Sequence, residues 1–294
     1  MSPTSTERYR NRLRMVLEYI DANLAGDLSV ERLSSVAAFS KYHFHRQFSD
    51  LIGVSVYRYV QLKRLKRASY QLAYRDQSPI VGIALENGYG GPEAFSRAFR
   101  KNIGQSPTEF RNQPQWGSWH AIYQPLQELT SRVMKAEYQT DQVRIIAFRE
   151  TRVAALEYRG GPKLIGDCIR KFIAWRRQNN LPPKASATFN VVYHHPAGTD
   201  EGDCRYDLCA STEHGVPENS FGVVEKVIPG GRCAVLRHIG SDERLGDAVH
   251  FLYSQWLPQS GEELRDFPLY LQRVRFFPEA AEHEATTDVF LPLR

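Results

Sequence analysis

One short segment carries polar side chains at a spacing suited to contacts with nucleic acid. From Pro92 to Gly104 the apolar residues recur at helical spacing and are Phe95, Ala98 and Phe99. The opposite face of the predicted helix carries Glu93, Ser96, Arg97 and Arg100. A helix with such a small, partly basic face fits the major groove of DNA, where side chains reach base edges. The alternative is a helical hairpin buried in an all-α domain.

The elements around this helix are those of a helix-turn-helix. An apolar stripe over residues 80–84 predicts a preceding short helix, and the glycines within 88–91 end it in a tight turn. Pro92 suits the first position of the second helix, and Gly104 ends that helix. Residues 106–109, with sequence SPTE, form a capping box that starts another helix.

The helix-turn-helix pattern occurs twice. FHRQFSDLIGVSVYRY, starting at Phe44, aligns with FSRAFRKNIGQSPTEF, starting at Phe95, at an offset of 51 residues. The matches include Phe44 with Phe95, Phe48 with Phe99, and Gly53 with Gly104. Two such units in one chain supply what dimeric DNA-binding proteins obtain by symmetry, which is two recognition helices about one DNA turn, ~34 Å, apart.

Roughly residues 8 to 113 resemble the AraC/XylS-type transcriptional regulators. The motifs that carry the resemblance are LSVERLSSVAAFSKYHFHRQFSDLIG and IALENGYGGPEAFSRAFRKNIGQSPTEFR. The resemblance implies that each unit places one helix in a major groove. By position it assigns base contacts to Lys41, Tyr42, His45 and Arg46 in the first helix and to Glu93, Ser96 and Arg97 in the second. The family usually has polar residues where this chain has Gly90, Gly91 and Pro92, so we expect the second helix to contact fewer bases.

The charge distribution favours a nucleic-acid partner for the first part of the chain. The net charge is +5, but residues 1–116 carry 17 Lys+Arg against 10 Asp+Glu, whereas the remainder carries 21 against 23. A long helix over 55–75 is predicted to join the two units. Its basic cluster is assigned to DNA phosphates and comprises Lys63, Arg64, Lys66 and Arg67. The alternative is a solvated basic face.

The sequence pattern changes after this all-α domain, which is predicted to span residues 1–113 with its two helix-turn-helix units. Residues 114–141 lack clear periodicity and are predicted to be a linker. From residue 142 onward short β-rich runs alternate with helices, which predicts an α+β domain to residue 294. RVAALEYRGGPKLIGDCI at Arg152 aligns with RCAVLRHIGSDERLGDAV at Arg232 at an offset of 80. We therefore expect a duplicated strand-helix-strands module with a ligand groove.

Roughly residues 141–294 are similar to the gyrase-inhibitor-like (GyrI-like) effector-binding domains. The similarity is carried by LEYRGGP, YHHPAGTD, IPGGRCAVLRHIG, WLPQSG and TTDVFLPL. It implies a pocket for bulky, often aromatic and cationic compounds, with a glutamate counter-ion in a late strand. The corresponding strand, 268–277, has no acidic residue and places Gln272 at the glutamate position, close to Arg273 and Arg275. A cationic ligand would have no carboxylate counter-ion there. A neutral aromatic ligand and an anionic ligand are therefore considered on equal terms with a cationic one.

The pocket candidates are six aromatic residues and one amide: Tyr158, Trp175, Tyr193, Phe221, Trp256, Tyr270 and Gln272. The alternative is that the aromatic side chains form the core of a small α+β domain. We expect roughly half of the seven to touch a ligand.

Motifs for catalysis and for metal binding are weak. The sequence has no nucleophile elbow, phosphate loop or HExxH motif, and no cofactor is predicted. Glu157 and Glu225 are available as an acid and a base, although nothing in the sequence brings either close to a partner. Two histidine pairs have spacings that do not suit a shared metal ion: His43 with His45, and His194 with His195. Reduced, buried thiols are predicted for Cys168, Cys204, Cys209 and Cys233.

The sequence therefore predicts a ligand-responsive, sequence-specific DNA-binding transcriptional regulator that is not an enzyme. Its expected partners are double-stranded DNA, a small aromatic effector and RNA polymerase, with no membrane. The expected location is the cytoplasm, because the N-terminus is polar and no apolar run approaches roughly 18 residues. The alternatives are a ligand-sequestering or hydrolytic resistance protein that uses the GyrI-like domain, and an architectural DNA-binding protein.

Overall fold

The computed structural model contains two compact units, Met1–Lys135 and Ala136–Arg294. It describes residues 5–133, 138–161, 164–193, 205–277 and 280–294, with the backbone alone for 5–7, 131 and 132. The described helices of the first unit are α1 (Ser5–Ala22), α2 (Val30–Val36), α3 (Lys41–Ile52), α4 (Val56–Tyr74), α5 (Ile80–Glu86), α6 (Pro92–Ile103), α7 (Pro107–Asn112) and α8 (Trp116–Val133).

The first unit is built from the predicted repeat, with α2 and α3 in one copy and α5 and α6 in the other. Phe48 of α3 packs edge-on against Tyr59 with ring centroids 5.6 Å apart, and Phe99 of α6 packs edge-on against Phe110 at 5.5 Å. A glycine in the left-handed region ends each second helix; these are Gly53 (φ 73°) and Gly104 (φ 82°). The two helix-turn-helix units predicted from the sequence are thereby confirmed.

The helix α8 contradicts part of the predicted linker. Its side chains Trp116, Trp119, Tyr123 and Leu126 are buried in the core of the first unit. Trp116 lies 5.5 Å from the ring of Phe110, and Trp119 lies 5.2 Å from the ring of Tyr70. The four side chains recur at helical spacing, so they form one apolar face that needs the rest of this core to cover it. The linker prediction is therefore wrong for 116–133, while residues 134–137 lie outside the described chain.

The second unit is an antiparallel sheet with helices, as predicted. Its described strands are β1 (Val143–Phe148), β2 (Thr151–Arg159), β3 (Thr188–Val192), β4 (Arg205–Ser211), β5 (Val223–Ile228), β6 (Gly231–Ile239), β7 (Tyr270–Arg275) and β8 (Thr286–Pro292). Its helices are α9 (Ile165–Gln178), α10 (Leu245–Phe251) and, after a π-turn, α11 (Leu257–Ser260). Short 3-10 turns lie at Thr140–Gln142, Asp242–Arg244 and Glu282–Glu284.

The sheet has the internal symmetry that the repeat predicts. Its strand order is β1-β6-β8-β7-β3-β4-β2-β5, so exchanging the two halves of the sequence reverses the order. The first strand of each half pairs with the second strand of the other, β1 with β6 and β5 with β2. The equivalent strands β3 and β7 meet at the centre. Gly160 and Gly240, 80 residues apart, both have positive φ and turn the chain from strand toward helix.

The helices α9 and α10 lie on one face of this sheet. Directly paired residues in neighbouring strands share a face, and one such row comprises Leu156, Leu208, Asn190, Leu271, Val289 and Leu236. Phe172 and Trp175 of α9 cluster with the Leu156 end of the row. Phe251 of α10 and the following Leu252 cluster with the Leu236 end. We call this side the helix face.

The opposite face curls around an aromatic core. The ring centroids of Phe148 on β1 and Phe189 on β3 lie 6.0 Å apart, although three strands separate β1 from β3. Neighbouring strands are about 4.8 Å apart, so a flat sheet would hold these rings roughly 19 Å apart. Tyr270 and Phe290 stack between them at 4.8 Å and complete the core. We call this side the inner face.

No helix among the described residues combines the length and the apolar character needed to cross a lipid bilayer.

The packing of α8 makes a measurable prediction. Trp119→Ala should destabilise the first unit by about 3–5 kcal/mol, because it removes a buried indole from the aromatic core. Ser118→Ala is the matched control, since Ser118 is exposed on the same turn and its replacement should change stability by less than about 0.5 kcal/mol. Chemical denaturation of the full chain measures both. Equal stabilities would show that α8 is dispensable for the first unit.

Candidate nucleic-acid interface and ligand site

The first candidate surface is the outer face of α3. Phe44, Phe48 and Ile52 are buried on its inner side. The residues assigned to bases all lie exposed on the other side and are Lys41, Tyr42, His45 and Arg46. Tyr42 is 80% exposed, and the Lys41 ammonium lies 5.3 Å from the centre of its ring. A largely exposed aromatic ring next to three basic side chains is better suited to contact with a polyanion than to a role in the core.

Arg46 is available for a new partner. Its guanidinium lies 4.0 Å from the Asp50 carboxylate one helical turn away, and both side chains are largely exposed. Exposed pairs of this kind contribute little to stability, so a DNA contact can replace this one at small cost.

The outer face of α6 is the second candidate surface. Glu93 and Arg97 are exposed, and Ser96 is half-buried. Gly91 occupies the N-cap position with extended backbone, φ 171°, and provides no side chain there. Compared with α3, α6 therefore presents fewer side chains at its N-terminal end. Our expectation that α6 contacts fewer bases stays a prediction.

The assignment of Lys63 and Arg64 to phosphates is wrong, because both side chains are committed inside the first unit. The Lys63 ammonium is buried and forms an ion pair of 2.9 Å with Asp21 of α1. Arg64 donates hydrogen bonds to the carbonyls of Leu24 at 2.8 Å and Gly26 at 3.2 Å. Burial lowers the pKa of Arg64. The helix α4 joins the two helix-turn-helix units and is covered by both. Its basic side chains Lys63 and Arg64 therefore bind groups inside the first unit.

The seven predicted ligand residues do not converge on one site. Four belong to the helix face, either in its clusters or through strand pairing: Tyr158, Trp175, Phe221 and Trp256. Three belong to the inner face: Tyr193, Tyr270 and Gln272. Tyr270 is fully buried in the aromatic core, and Gln272 pairs with Phe189 of that core. A single pocket can draw on only one of these two sets.

Strand alternation places Arg273, rather than Gln272, on the helix face. Arg273 pairs with Thr188 of β3 and Thr287 of β8, and the row continues to Ala210 and His238. The central strands β3 and β7 thus place Thr188, Asn190, Leu271 and Arg273 on the helix face between α9 and α10. We call these four residues the interhelical surface. Sequence reasoning missed Asn190 and Thr188, although the repeat itself indicates that two equivalent central strands should meet there.

Two guanidinium groups lie at the interhelical surface: that of Arg273, which belongs to it, and that of Arg176, which contacts it. Arg273, 13% exposed, forms an ion pair of 2.5 Å with Asp242 in the turn before α10. Burial lowers the pKa of Arg273, but the charge of Asp242 more than offsets it and leaves the pKa raised. Arg176 of α9 donates to the hydroxyl of Thr188 at 2.6 Å and to the carbonyls of Leu181 and Ser186. Burial lowers the pKa of Arg176 to about 10.

His238 closes one end of this row as a neutral side chain. Its Nε2 lies 2.9 Å from the carbonyl oxygen of Ser241, which can only accept, so Nε2 carries the proton. Its Nδ1 accepts from the hydroxyl of Tyr138 at 2.7 Å. Burial lowers the pKa of His238 and keeps it uncharged. His238 therefore adds no positive charge beside Arg273.

Glu157 and Glu225 do not form an acid–base pair. Glu157 pairs with Asp207 on the inner face, whereas Glu225 pairs with Ala154 on the helix face. Glu157 binds the ammonium of Lys226 at 2.5 Å, and that hydrogen bond lowers its pKa. Two carboxylates on opposite sides of a sheet cannot act on one substrate atom.

The thiols and histidines show no metal site within the described chain. Cys209 and Cys233 are buried, Cys168 is half-buried, and burial raises the pKa of each thiol. No group of three or more His, Cys, Asp or Glu side chains converges in the part of the chain that the structure describes. The remaining predicted positions lie outside it: Cys204, His194 and His195.

Comparison with known proteins assigns both units. Residues 33–113 match a helix-turn-helix domain of the AraC type, and residues 141–294 match the GyrI-like small molecule binding domain. The chain belongs to the GyrI-like family. The probable transcriptional regulator YgiV of Escherichia coli K12 is 36% identical over 155 residues, which cover 52% of this chain and 97% of YgiV.

Other relatives match a shorter part of this GyrI-like protein. The right origin-binding protein of Escherichia coli K12 is 30% identical over 107 residues, which cover 36% of this chain and 37% of that protein. The transcriptional regulator YbfP of Bacillus subtilis is 36% identical over 103 residues, which cover 35% of each chain. Among solved structures, the C-terminal domain of EcmrR is 16% identical with a TM-score of 0.44 and covers 54% of this chain and 99% of that one. That likeness is too distant to bear on function.

The exposed arginines of the two recognition helices predict a specific loss of DNA affinity. Arg46→Ala and Arg97→Ala should each weaken binding to the preferred sequence by about 1–3 kcal/mol, because each removes a side chain that is predicted to donate to base edges. Arg144→Ala is the matched control, since Arg144 is an exposed arginine on β1. Fluorescence anisotropy with labelled duplexes measures the three variants.

The outcome distinguishes α3 from α6. Unchanged affinity of Arg97→Ala would remove α6 as a base-reading helix and leave it as a backbone contact. By contrast, Lys63→Ala should reduce stability by about 3–5 kcal/mol, because Asp21 would stay buried without its partner.

Proposed function

We propose that this protein is a ligand-responsive, sequence-specific DNA-binding transcriptional regulator. The observation that carries the proposal is the presence, in one chain, of an AraC-type helix-turn-helix domain and a GyrI-like small molecule binding domain. The name of the relative YgiV, a probable transcriptional regulator, supports the same conclusion. RNA polymerase is the expected further partner, because a regulator acts by changing polymerase access or activity.

In this proposal α3 and α6 enter successive major grooves on one side of the duplex. The exposed faces of both helices, the basic balance of residues 1–116 and the aromatic packing that holds each helix from behind support it. The side chains of α3 provide most of the sequence recognition, and α6 adds Arg97 and fewer further contacts.

The second unit binds the effector and, in this proposal, does not catalyse a reaction on it. Support comes from Glu157 and Glu225, which lie on opposite faces of the sheet. Asp207, the buried carboxylate beside Glu157, is already bound to Lys226 at 2.7 Å and to the hydroxyl of Tyr193 at 2.9 Å. Neither face brings an uncommitted acid and base together among the described residues.

Selection from a pool of random double-stranded DNA tests the proposal. The full chain should enrich two short half-sites whose centres are about 10 base pairs apart, because two recognition helices on one side of the duplex are separated by one turn. Enrichment of only A·T-rich or bent DNA would indicate an architectural protein. Mass spectrometry of stabilising compounds after incubation provides the control, since their consumption would indicate a hydrolase.

A further inference from the structure

We infer that the effector is an anion, an organic carboxylate or a group of the same shape, and that it binds Arg273 on the interhelical surface in place of Asp242. The inference rests on the proposed ligand-responsive function and adds the charge of the ligand and the group that recognises it. It depends on three features of the helix face: two arginines, an amide without a partner and a displaceable carboxylate.

The arginines make this part of the molecule positive. Arg273 and Arg176 both contact or pair with Thr188, so their charges lie on adjacent positions of the helix face. Arg176 is buried, and its hydrogen bonds go to two carbonyls and one hydroxyl, with no carboxylate among its partners in the described chain. Among the described residues, Asp242 is the one carboxylate that pairs with either arginine, so these three side chains together carry a charge of +1. A buried positive site attracts an anion more strongly than an exposed site does, because water screens it less.

Asn190 supplies a polar group that needs a partner. It lies in the central row of the helix face, directly between Leu208 and Leu271, and is 6% exposed. No hydrogen bond to its amide is found within the described residues, although buried amides are nearly always bonded. Its NH2 group can donate to a ligand oxygen, while the two leucines offer apolar contact to the rest of the ligand.

The contact that Arg273 already makes can be exchanged. Asp242 is 57% exposed and lies in a short 3-10 turn, so it returns readily to water. A ligand carboxylate restores the same charge-assisted hydrogen bonds to the guanidinium, and two parallel bonds suit that planar group. The released turn leads directly into α10, which links occupation of the site to a change at a helix end.

The inner face attracts a cation much less strongly than the helix face attracts an anion. Its carboxylates already have cationic partners: Glu157 and Asp207 share Lys226, the charges of Arg205 and Arg159 also lower the pKa of Glu157, and Asp288 binds Arg237 with two contacts of 2.7 Å. Gln272 pairs with Asp288 on this face and adds no charge. A cation would have to displace a lysine or an arginine that belongs to the fold.

Ring-matched compounds test the charge of the effector. The panel carries a carboxylate, a primary amide or an amidinium on phenyl, naphthyl and biphenyl rings, and the full chain is screened by thermal unfolding and then by calorimetric titration. We expect the carboxylates to bind more tightly than the amides and amidiniums of the same ring. If amides or amidiniums bind at least as well, or if no carboxylate binds, the inference is overturned.

Three variants locate the contact. Arg273→Gln should weaken carboxylate binding roughly 10- to 100-fold and leave amide binding unchanged. Asp242→Asn should strengthen carboxylate binding roughly two- to fivefold, because it removes the competing charge from an exposed position and so leaves the fold intact. Arg275→Gln is the matched control: Arg275 lies two residues along β7, is 60% exposed and should bind like the unmodified chain. No gain in Asp242→Asn overturns the inference even if Arg273→Gln fails to fold.

The same screen separates this inference from the proposed function. Binding of amides or amidiniums that also changes DNA affinity would keep the ligand-responsive function and reject the anion. Compounds of all three charges that leave both unfolding and DNA affinity unchanged would contradict both.

Discussion

The buried charges of α4 are the constraint on which the first unit depends. Lys63 is paired with Asp21 inside the core, and Arg64 bonds to the carbonyls of Leu24 and Gly26 after α1. A Cβ added at Gly88, in the turn of the second helix-turn-helix unit, would lie 2.8 Å from the Arg64 guanidinium, and the φ of Gly88 is +71°. This position therefore favours glycine. The helix α4 thus joins the two helix-turn-helix units inside the first unit through charged groups whose exposure or separation is costly. The recognition helices α3 and α6 are therefore held in fixed positions, because a packed helix rather than a flexible linker connects their units.

The second unit uses its repeat differently, because duplication produces two half-sheets that exchange their first strands. The exchanged strands β1 and β5 lie at the two edges, β3 and β7 pair at the centre, and α9 and α10 lie on one face. The architecture is symmetric, but its chemistry is not. Asn190 on β3 and Arg273 on β7 are neighbours on the central helix face, and only the β7 side carries a charge. A symmetric fold with asymmetric polar groups can hold an asymmetric ligand in one orientation.

Much of the fold follows from local sequence signals. The phenylalanine spacing, the glycine C-caps and the Ser106–Glu109 capping box predict the helix-turn-helix units, and alternation predicts the strands of the second unit. Two features required long-range information. In the sequence, the basic residues of α4 look the same as a phosphate-binding cluster. Their burial by the two helix-turn-helix units cannot be recognised from the neighbouring residues alone. In β7, an alignment error of one residue moves a side chain to the other face, so Gln272 and Arg273 exchange roles. In α8, Trp116, Trp119 and Tyr123 have the spacing of one helical face. Pro125 and the surrounding polar residues make this periodicity hard to recognise in the sequence.

In a ligand-responsive regulator, ligand binding in the second unit changes DNA binding by the first. Titration of the full chain with its selected DNA, in the absence of ligand and at saturation, measures this coupling directly. We expect the Kd for DNA to change by roughly 5- to 150-fold and saturating DNA to change the Kd for the ligand by the same factor, as linkage requires. Equal DNA affinities with and without a ligand that demonstrably occupies the second unit would contradict this coupling.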